Sequence, residues 1–177
     1  MKFLLKKLAL FRVSGSDAEN FLQNQFTNDI SKLKKNKIQL NAYCQHQGKI
    51  IALFWVMRNN NNFFLSFPLD LADVIIARLK MFIIMSDVKI DDISAQYEQI
   101  GLLNESHVNA YSLNEDLSLQ IKSIGSFRDY VFENTNEWTK ACIDLQIPEV
   151  TLSNSEKLLP QMLNLDIDEV GVSFSKG

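Results

Sequence analysis

Ile38-Gln39-Leu40-Asn41-Ala42-Tyr43-Cys44, then Lys49 to Arg58, then Phe63 to Phe67, are three strand-like runs separated by short polar turns. The turns are Gln45-His46-Gln47-Gly48 and Asn59-Asn60-Asn61-Asn62. Asn tolerates left-handed backbone and bonds its own chain, so the run of Asn predicts a hairpin loop.

Upstream, Leu8 to Val13 reads as a short strand closed by Ser14-Gly15-Ser16. Ser16 or its neighbour is placed to N-cap a helix that begins Asp17-Ala18-Glu19, with its acids in the first turn where the helix dipole favours them. Phe21, Leu22 and Phe26 give this helix an apolar face, and it should end near Thr27-Asn28-Asp29. A connection rich in lysine follows, with Lys32, Lys34, Lys35 and Lys37. Downstream, Pro68 opens a helix in which Leu71, Val74, Ile75, Leu79, Phe82 and Ile83 recur at helical spacing. Val88-Lys89-Ile90 then returns as a strand.

The order β-α-β-β-β-α-β is close to the split β-α-β pattern of a ferredoxin-like sandwich. The remainder echoes it less clearly. Tyr97 to Leu103 reads as a strand, Leu117 to Ile124 and Tyr130 to Glu133 are candidates to pair, and Asn134 to Leu145 reads as a helix. Asn134 or Thr135 would cap that helix, and Ile147-Pro148 would end it. The expected fold class is α+β, with a first ferredoxin-like unit over residues 1–92 and a second over 93–177, although no repeat is visible in the sequence.

Composition narrows the function classes. A hydrophobic fraction of 46% with 22% charged residues is that of a globular protein, which argues against disorder. The net charge of -3 and pI near 5.4 give no global attraction to nucleic acid or to an anionic membrane. Phenylalanine is abundant at 12 copies and glycine scarce at 6, so the aromatics are expected to fill a core. Cys44 and Cys142 stand apart and form neither a disulfide framework nor a zinc site. The N-terminal apolar pieces are too short for a signal sequence, and the longest apolar run, Ile50 to Met57, is strand-sized. The expectation is a soluble cytoplasmic protein that engages neither membrane nor nucleic acid.

Conventional catalytic patterns are missing. The 2 histidines, His46 and His107, have no partners at metal-ligand spacing, and no phosphate-binding loop or nucleophile elbow occurs. No catalytic or metal-ligating residue is therefore assigned. The lysines from Lys32 to Lys37 read as a solvated loop, with contact to a polyanionic ligand tail as the second reading.

Four segments carry a family resemblance. Val13-Ser14-Gly15-Ser16-Asp17-Ala18, continued by Phe21-Leu22-Gln23-Asn24-Gln25-Phe26-Thr27-Asn28-Asp29-Ile30, is the first; Ala42 to Lys49, ending Gly48-Lys49, is the second. Leu79-Lys80-Met81-Phe82 through Asp87-Val88-Lys89-Ile90 is the third. The fourth joins Ile147-Pro148, Asn154-Ser155, Leu159-Pro160-Gln161, Asn164-Leu165, Gly171-Val172-Ser173-Phe174 and Lys176-Gly177. Together they resemble the YgfZ-type folate-binding proteins, relatives of the glycine-cleavage T protein, an aminomethyltransferase.

That resemblance implies a pair of ferredoxin-like units around a cavity for tetrahydrofolate or a one-carbon derivative. It also implies a role in making or maintaining iron–sulfur clusters in client enzymes, including those that modify tRNA. It places the folate-binding residues among Thr27, Asn28, Asp29, Tyr43, Lys49, Gln161 and Asn164, with Trp55, Phe54 and Tyr43 as candidate walls. The bland alternatives stay open: Asn28 and Asp29 could terminate the helix, and Gln161 and Asn164 could satisfy loop backbone. The family's signature would continue past Lys176-Gly177 into a cysteine and then a small β-barrel, neither of which is in this sequence.

One departure bears on activity. In the transferases an Asp pair follows the turn that corresponds to Gly48, whereas here the run is Gly48-Lys49-Ile50-Ile51-Ala52-Leu53. The missing carboxylate argues against aminomethyl transfer, because no group is left at that position to steer a proton. Two alternatives remain: a one-carbon transferase that uses a carboxylate elsewhere, Asp29 first, or an interaction domain without a ligand.

Overall fold

The computed structural model describes residues 1–105 and 107–176; Gly177, the last residue of the Lys-Gly ending, lies outside the described residues. Two antiparallel sheets and few helices make an α+β fold. The first sheet holds β2 (Leu8–Ser14), β3 (Ile38–Cys44), β4 (Ile50–Asn59), β5 (Asn62–Pro68) and β6 (Lys89–Asp92) in the order β3-β4-β5-β2-β6. The second holds β1 (Lys2–Leu4), β7 (Tyr97–Leu103), β8 (Ala110–Ser112) and β9 (Leu117–Ser123) in the order β1-β7-β9-β8. Helices α1 (Ala18–Gln25), α2 (Ala72–Met81) and α3 (Thr135–Asp144) complete the elements.

The three strand-like runs form β3, β4 and β5, joined in antiparallel register from Ile38↔Met57 to Asn59↔Asn62, with β3 at the sheet's edge. Asn60 takes the left-handed conformation (φ 53°) that the hairpin needs. Alternation along the strands then sorts side chains between two faces. Ala9, Phe11, Val13, Phe54, Val56, Phe63, Leu65 and Phe67 face α1 and α2 in one core. Leu10, Met57, Phe64 and the half-buried Trp55 face the second sheet and α3. Because the first sheet is covered on both faces, β4 reads as an unbroken apolar run rather than an alternating one.

The second half departs from the expected pattern. Tyr130 to Glu133 forms no strand: the far edge of β9 is taken by Ala110–Ser112 instead. Tyr130 and Phe132 pack as rings over the outer face of the second sheet, beside Ile100, Leu102 and Phe127. The fourth strand of that sheet comes from the N-terminus, with Phe3 opposite Gly101. The second half therefore does not repeat the element order of the first.

Helix starts are half as expected. Asn134 caps α3 by accepting from Asn136 N at 3.0 Å. Asp17, the neighbour of Ser16, holds the N-cap position of α1, without a side-chain capping bond; Ser16 N and Oγ both donate to Asp87 Oδ2, at 2.8 and 2.9 Å, and Asp87 N donates to Asp17 Oδ2 at 2.8 Å. That exchange ties the start of α1 to the segment before β6, and the close pass of the chains explains Gly15 (φ 112°), where a Cβ would stand 2.0 Å from the Asp87 carbonyl.

Candidate functional site

Sheet, helix and the segment after the helix enclose one apolar cavity of about 370 Å³. Its walls are Leu53 and Trp55 of β4, Ser66 to Pro68 at the end of β5, and Trp138, Thr139, Cys142 and Ile143 on α3. Ile147 to Val150 close the remaining side. The Trp55 and Trp138 rings stand 6.1 Å apart at 59°. Polar groups are few. Ser66 is buried, and its Oγ donates to Gln99 Oε1 at 2.6 Å. Glu149 is exposed at the rim and is the one charged residue among the lining residues. Burial pushes the Cys142 thiol up to about 11, with the Glu149 charge acting in the same direction, so the sulfur is a neutral wall atom.

None of the seven residues placed as folate ligands lines this cavity, although Ile147 and Pro148 of the fourth family segment do. Thr27, Asn28 and Asp29 instead form a turn strapped down by the C-terminal segment. Thr27 Oγ1 donates to Gly171 O at 2.6 Å and accepts from Ala42 N at 2.9 Å. Asn28 is buried; its Nδ2 donates to Leu40 O at 3.0 Å and Val170 O at 3.1 Å, and its Oδ1 accepts from Asp29 N at 2.8 Å. Asp29 Oδ1 accepts from Ser31 Oγ at 2.6 Å, Gln23 Nε2 at 3.0 Å and Ser31 N at 3.1 Å. The Ser31 hydroxyl bond, more than the others, holds the Asp29 carboxyl below its ordinary pKa.

Lys176 completes the strap by donating to Phe26 O and, at 3.1 Å, to Asn28 O. Burial lowers its ammonium pKa, with Asp29 pulling the other way. The lysine of the Lys-Gly ending thus satisfies carbonyls just past the end of α1.

The other motif residues are scattered. Tyr43 is buried in the core under α1, near Phe26, and Phe54 lies in the same core. Lys49 is exposed in the β3–β4 turn. Gln161 shares a shallow groove with Thr27, Gly48 and Phe174, and Asn164 (φ 55°) ends a short 3-10 turn at Pro160–Leu163. Of the three aromatic wall candidates, Trp55 alone reaches the cavity. A period of two separates it from Phe54, and that period was the available sequence signal. Trp138, Cys142 and Glu149 carried no sequence signal, because only packing brings them to β4.

Comparisons with known proteins agree on the fold. The model of the GCVT N-terminal domain matches residues 4–104, a span that includes every cavity residue on β4 and β5 but not α3. An uncharacterized protein of Haemophilus influenzae is 29% identical over 98% of this chain and 63% of its own length. The tRNA-modifying protein YgfZ of Buchnera aphidicola is 28% identical over 98% of this chain and 64% of its own, and that of Klebsiella pneumoniae 26% over 96% and 61%. The chain thus spans a little under two thirds of the length of these relatives. Among solved structures, glycine cleavage system aminomethyltransferase T from Bartonella henselae superimposes with a TM-score of 0.58 at 16% identity, over 86% of this chain and 48% of that one. At that identity the likeness speaks for the fold.

Proposed function

Because the chain belongs to the GCVT N-terminal domain family, we propose that it binds a tetrahydrofolate in the cavity between β4, β5 and α3. In this reading it is a YgfZ-type protein that acts in the cytoplasm. It supports iron–sulfur cluster assembly or repair in client enzymes, and through them tRNA modification, without aminomethyl transfer. The relatives called tRNA-modifying proteins support the tRNA side of the reading. In its finer fold reading, β6-β2-β5-β4 is a split β-α-β unit with β3 added at its edge, and residues 93–177 are a reduced second unit that completes the cavity.

The cavity itself carries the proposal. Its volume lies within the range of small-molecule sites, and its walls combine apolar surface with a few polar atoms. A reduced pterin would bury its ring against Leu53 and the two indoles, gaining area burial and edge or face contacts. Ser66, Thr139 and Glu149 supply acceptors and donors for its heteroatom edge.

The same walls support holding over transfer. Leu53 lies in the segment after Gly48, where the resembling transferases have carboxylates, and it presents methyl groups to the cavity. Asp29, the first candidate to replace that carboxylate, has its oxygens engaged by Ser31 and Gln23, with Lys32 at 3.7 Å. A carboxylate held in this way is a poor base for a substrate elsewhere.

The test is a titration of the chain with tetrahydrofolate and 5-formyltetrahydrofolate, followed by heat and by fluorescence. Both tryptophans of the chain line the cavity, so emission reports directly on it. Saturable binding at about micromolar Kd, near -8 kcal/mol, with quenching is expected. Heat without a change in emission would move the ligand elsewhere, and neither signal at millimolar folate would overturn the proposal.

A further inference from the structure

We propose that Gly101 is a positioning residue that holds the cavity open. By carrying no side chain it lets the Trp138 indole lie flat against β7, and that contact sets how large a ring the cavity admits. The inference deepens the folate reading and rests on the cavity being the ligand site.

Gly101 is not there for backbone freedom. It lies inside β7, paired on one side with Phe3 and on the other with Leu119, and its φ is not in the left-handed region. A glycine in the middle of a strand weakens it, and its usual reason is a close approach. Here the approach is specific: a Cβ on Gly101 would stand 2.6, 2.7 and 2.8 Å from Cζ3, Cε3 and Cη2 of Trp138. All three are atoms of the six-membered ring, and all are too close, so the ring would have to withdraw.

The direction of that withdrawal is constrained. Phe3 and Leu119 flank Gly101 and belong to the same buried cluster as Trp138, with the Phe3 ring 5.6 Å from the indole. Sideways movement along the sheet meets these side chains. The free space beside the ring is the cavity that Trp138 lines, with Trp55 on β4 in ring contact at 6.1 Å. A single methyl group on β7 therefore pushes the indole by about 1 Å toward the cavity it lines, narrowing the space for a ligand ring. Because α3 packs on β1 and β7, the helix carries the cavity wall and β7 sets its position.

Cys142 offers a readout that needs no knowledge of the ligand, since its half-buried sulfur lines the same cavity. In a Cys44→Ser background, labelling of Cys142 by a maleimide at pH 8.5 measures how open the cavity is. Gly101→Ala is expected to slow labelling and weaken tetrahydrofolate binding, each by about tenfold, with far-UV circular dichroism unchanged. Adding Trp138→Leu to Gly101→Ala should restore most of the labelling rate, a rescue that general damage to the strand would not permit. Unchanged labelling in folded Gly101→Ala, or a double variant that stays slow, overturns the proposal. Should Gly101→Ala not fold, Trp138→Phe alone must speed labelling, and an unchanged rate is equally fatal. If the unaltered chain binds no folate, the proposed function fails while the labelling series still decides this inference.

Discussion

At the turn of Thr27, Asn28 and Asp29, the side-chain oxygens and nitrogens are bonded to backbone or neighbouring side chains, and Lys176 covers two carbonyls beside them. The cavity under α3 is built the other way, from indoles, leucine and isoleucine with a handful of polar atoms. In the motif-rich region these side chains are engaged in bonds of their own, and the groove of about 450 Å³ that Asn28 borders with Lys32, Gln39 and Glu169 is more open and more polar. The cavity under α3 differs in being more enclosed and more apolar, and buried apolar area is a main source of binding energy. Polar residues at recognisable spacing marked where the chain is locked, and the cavity proposed for the ligand lies elsewhere.

The sharpest way to break this contrast is to unlock the turn. Asn28→Ala leaves Leu40 O, Val170 O and Asp29 N without their partner, and should cost about 3 kcal/mol of stability. The urea midpoint would fall at unchanged slope, while folate affinity measured on the folded fraction stays put. Lost affinity at full stability would make Asn28 a ligand contact.

Trp55→Leu probes the other side. It keeps a large apolar side chain but removes one indole, and should weaken tetrahydrofolate binding by about tenfold, or 1.4 kcal/mol, with a smaller change in urea midpoint than Asn28→Ala. Binding that is indifferent to Trp55 would empty the cavity of its role.

Acid should act through the turn and not through the cavity. Asp29 has a folded pKa below its unfolded value, so its contribution is fully present above the unfolded carboxylate pKa, about 4, and is lost as pH falls through the folded value. The stability gap between the parent chain and Asp29→Asn, from urea midpoints at pH 7, 5 and 3, should therefore narrow at the acidic end. A gap that does not change with pH would mean that the charge contributes nothing.

The smallest effect belongs to Lys49→Ala, an exposed turn residue. Stability should move by less than about 0.5 kcal/mol and folate binding should not change. Clear loss of binding would return the site to the β3–β4 turn.

Much of the first half was legible in the chain itself. Runs bounded by Asn and Gly clusters specify β3, β4 and β5, because strand and turn chemistry are local. The 3.6-residue spacing of Leu71, Ile75 and Leu79 specifies α2 for the same reason. Asn134 capped α3 as read, while Ser16 was drawn away by Asp87, a residue remote in sequence that offered its N and Oγ a better partner. Family segments spread along the chain sufficed for the α+β class and the aminomethyltransferase-like likeness.

Only the tertiary structure decided which polar residues are spent and which surfaces are open. The pairing of β1 with β7 crosses some hundred residues, the bond from Thr27 to Gly171 crosses 144, and the cavity needs β4, β5 and α3 together. Gly101 looks like a weak spot in a strand until Trp138 is seen lying on it. Composition and periodicity report local preference. Whether a hydroxyl is bonded, or a ring has room behind it, depends on contacts between residues far apart in the chain, which no short-range pattern encodes.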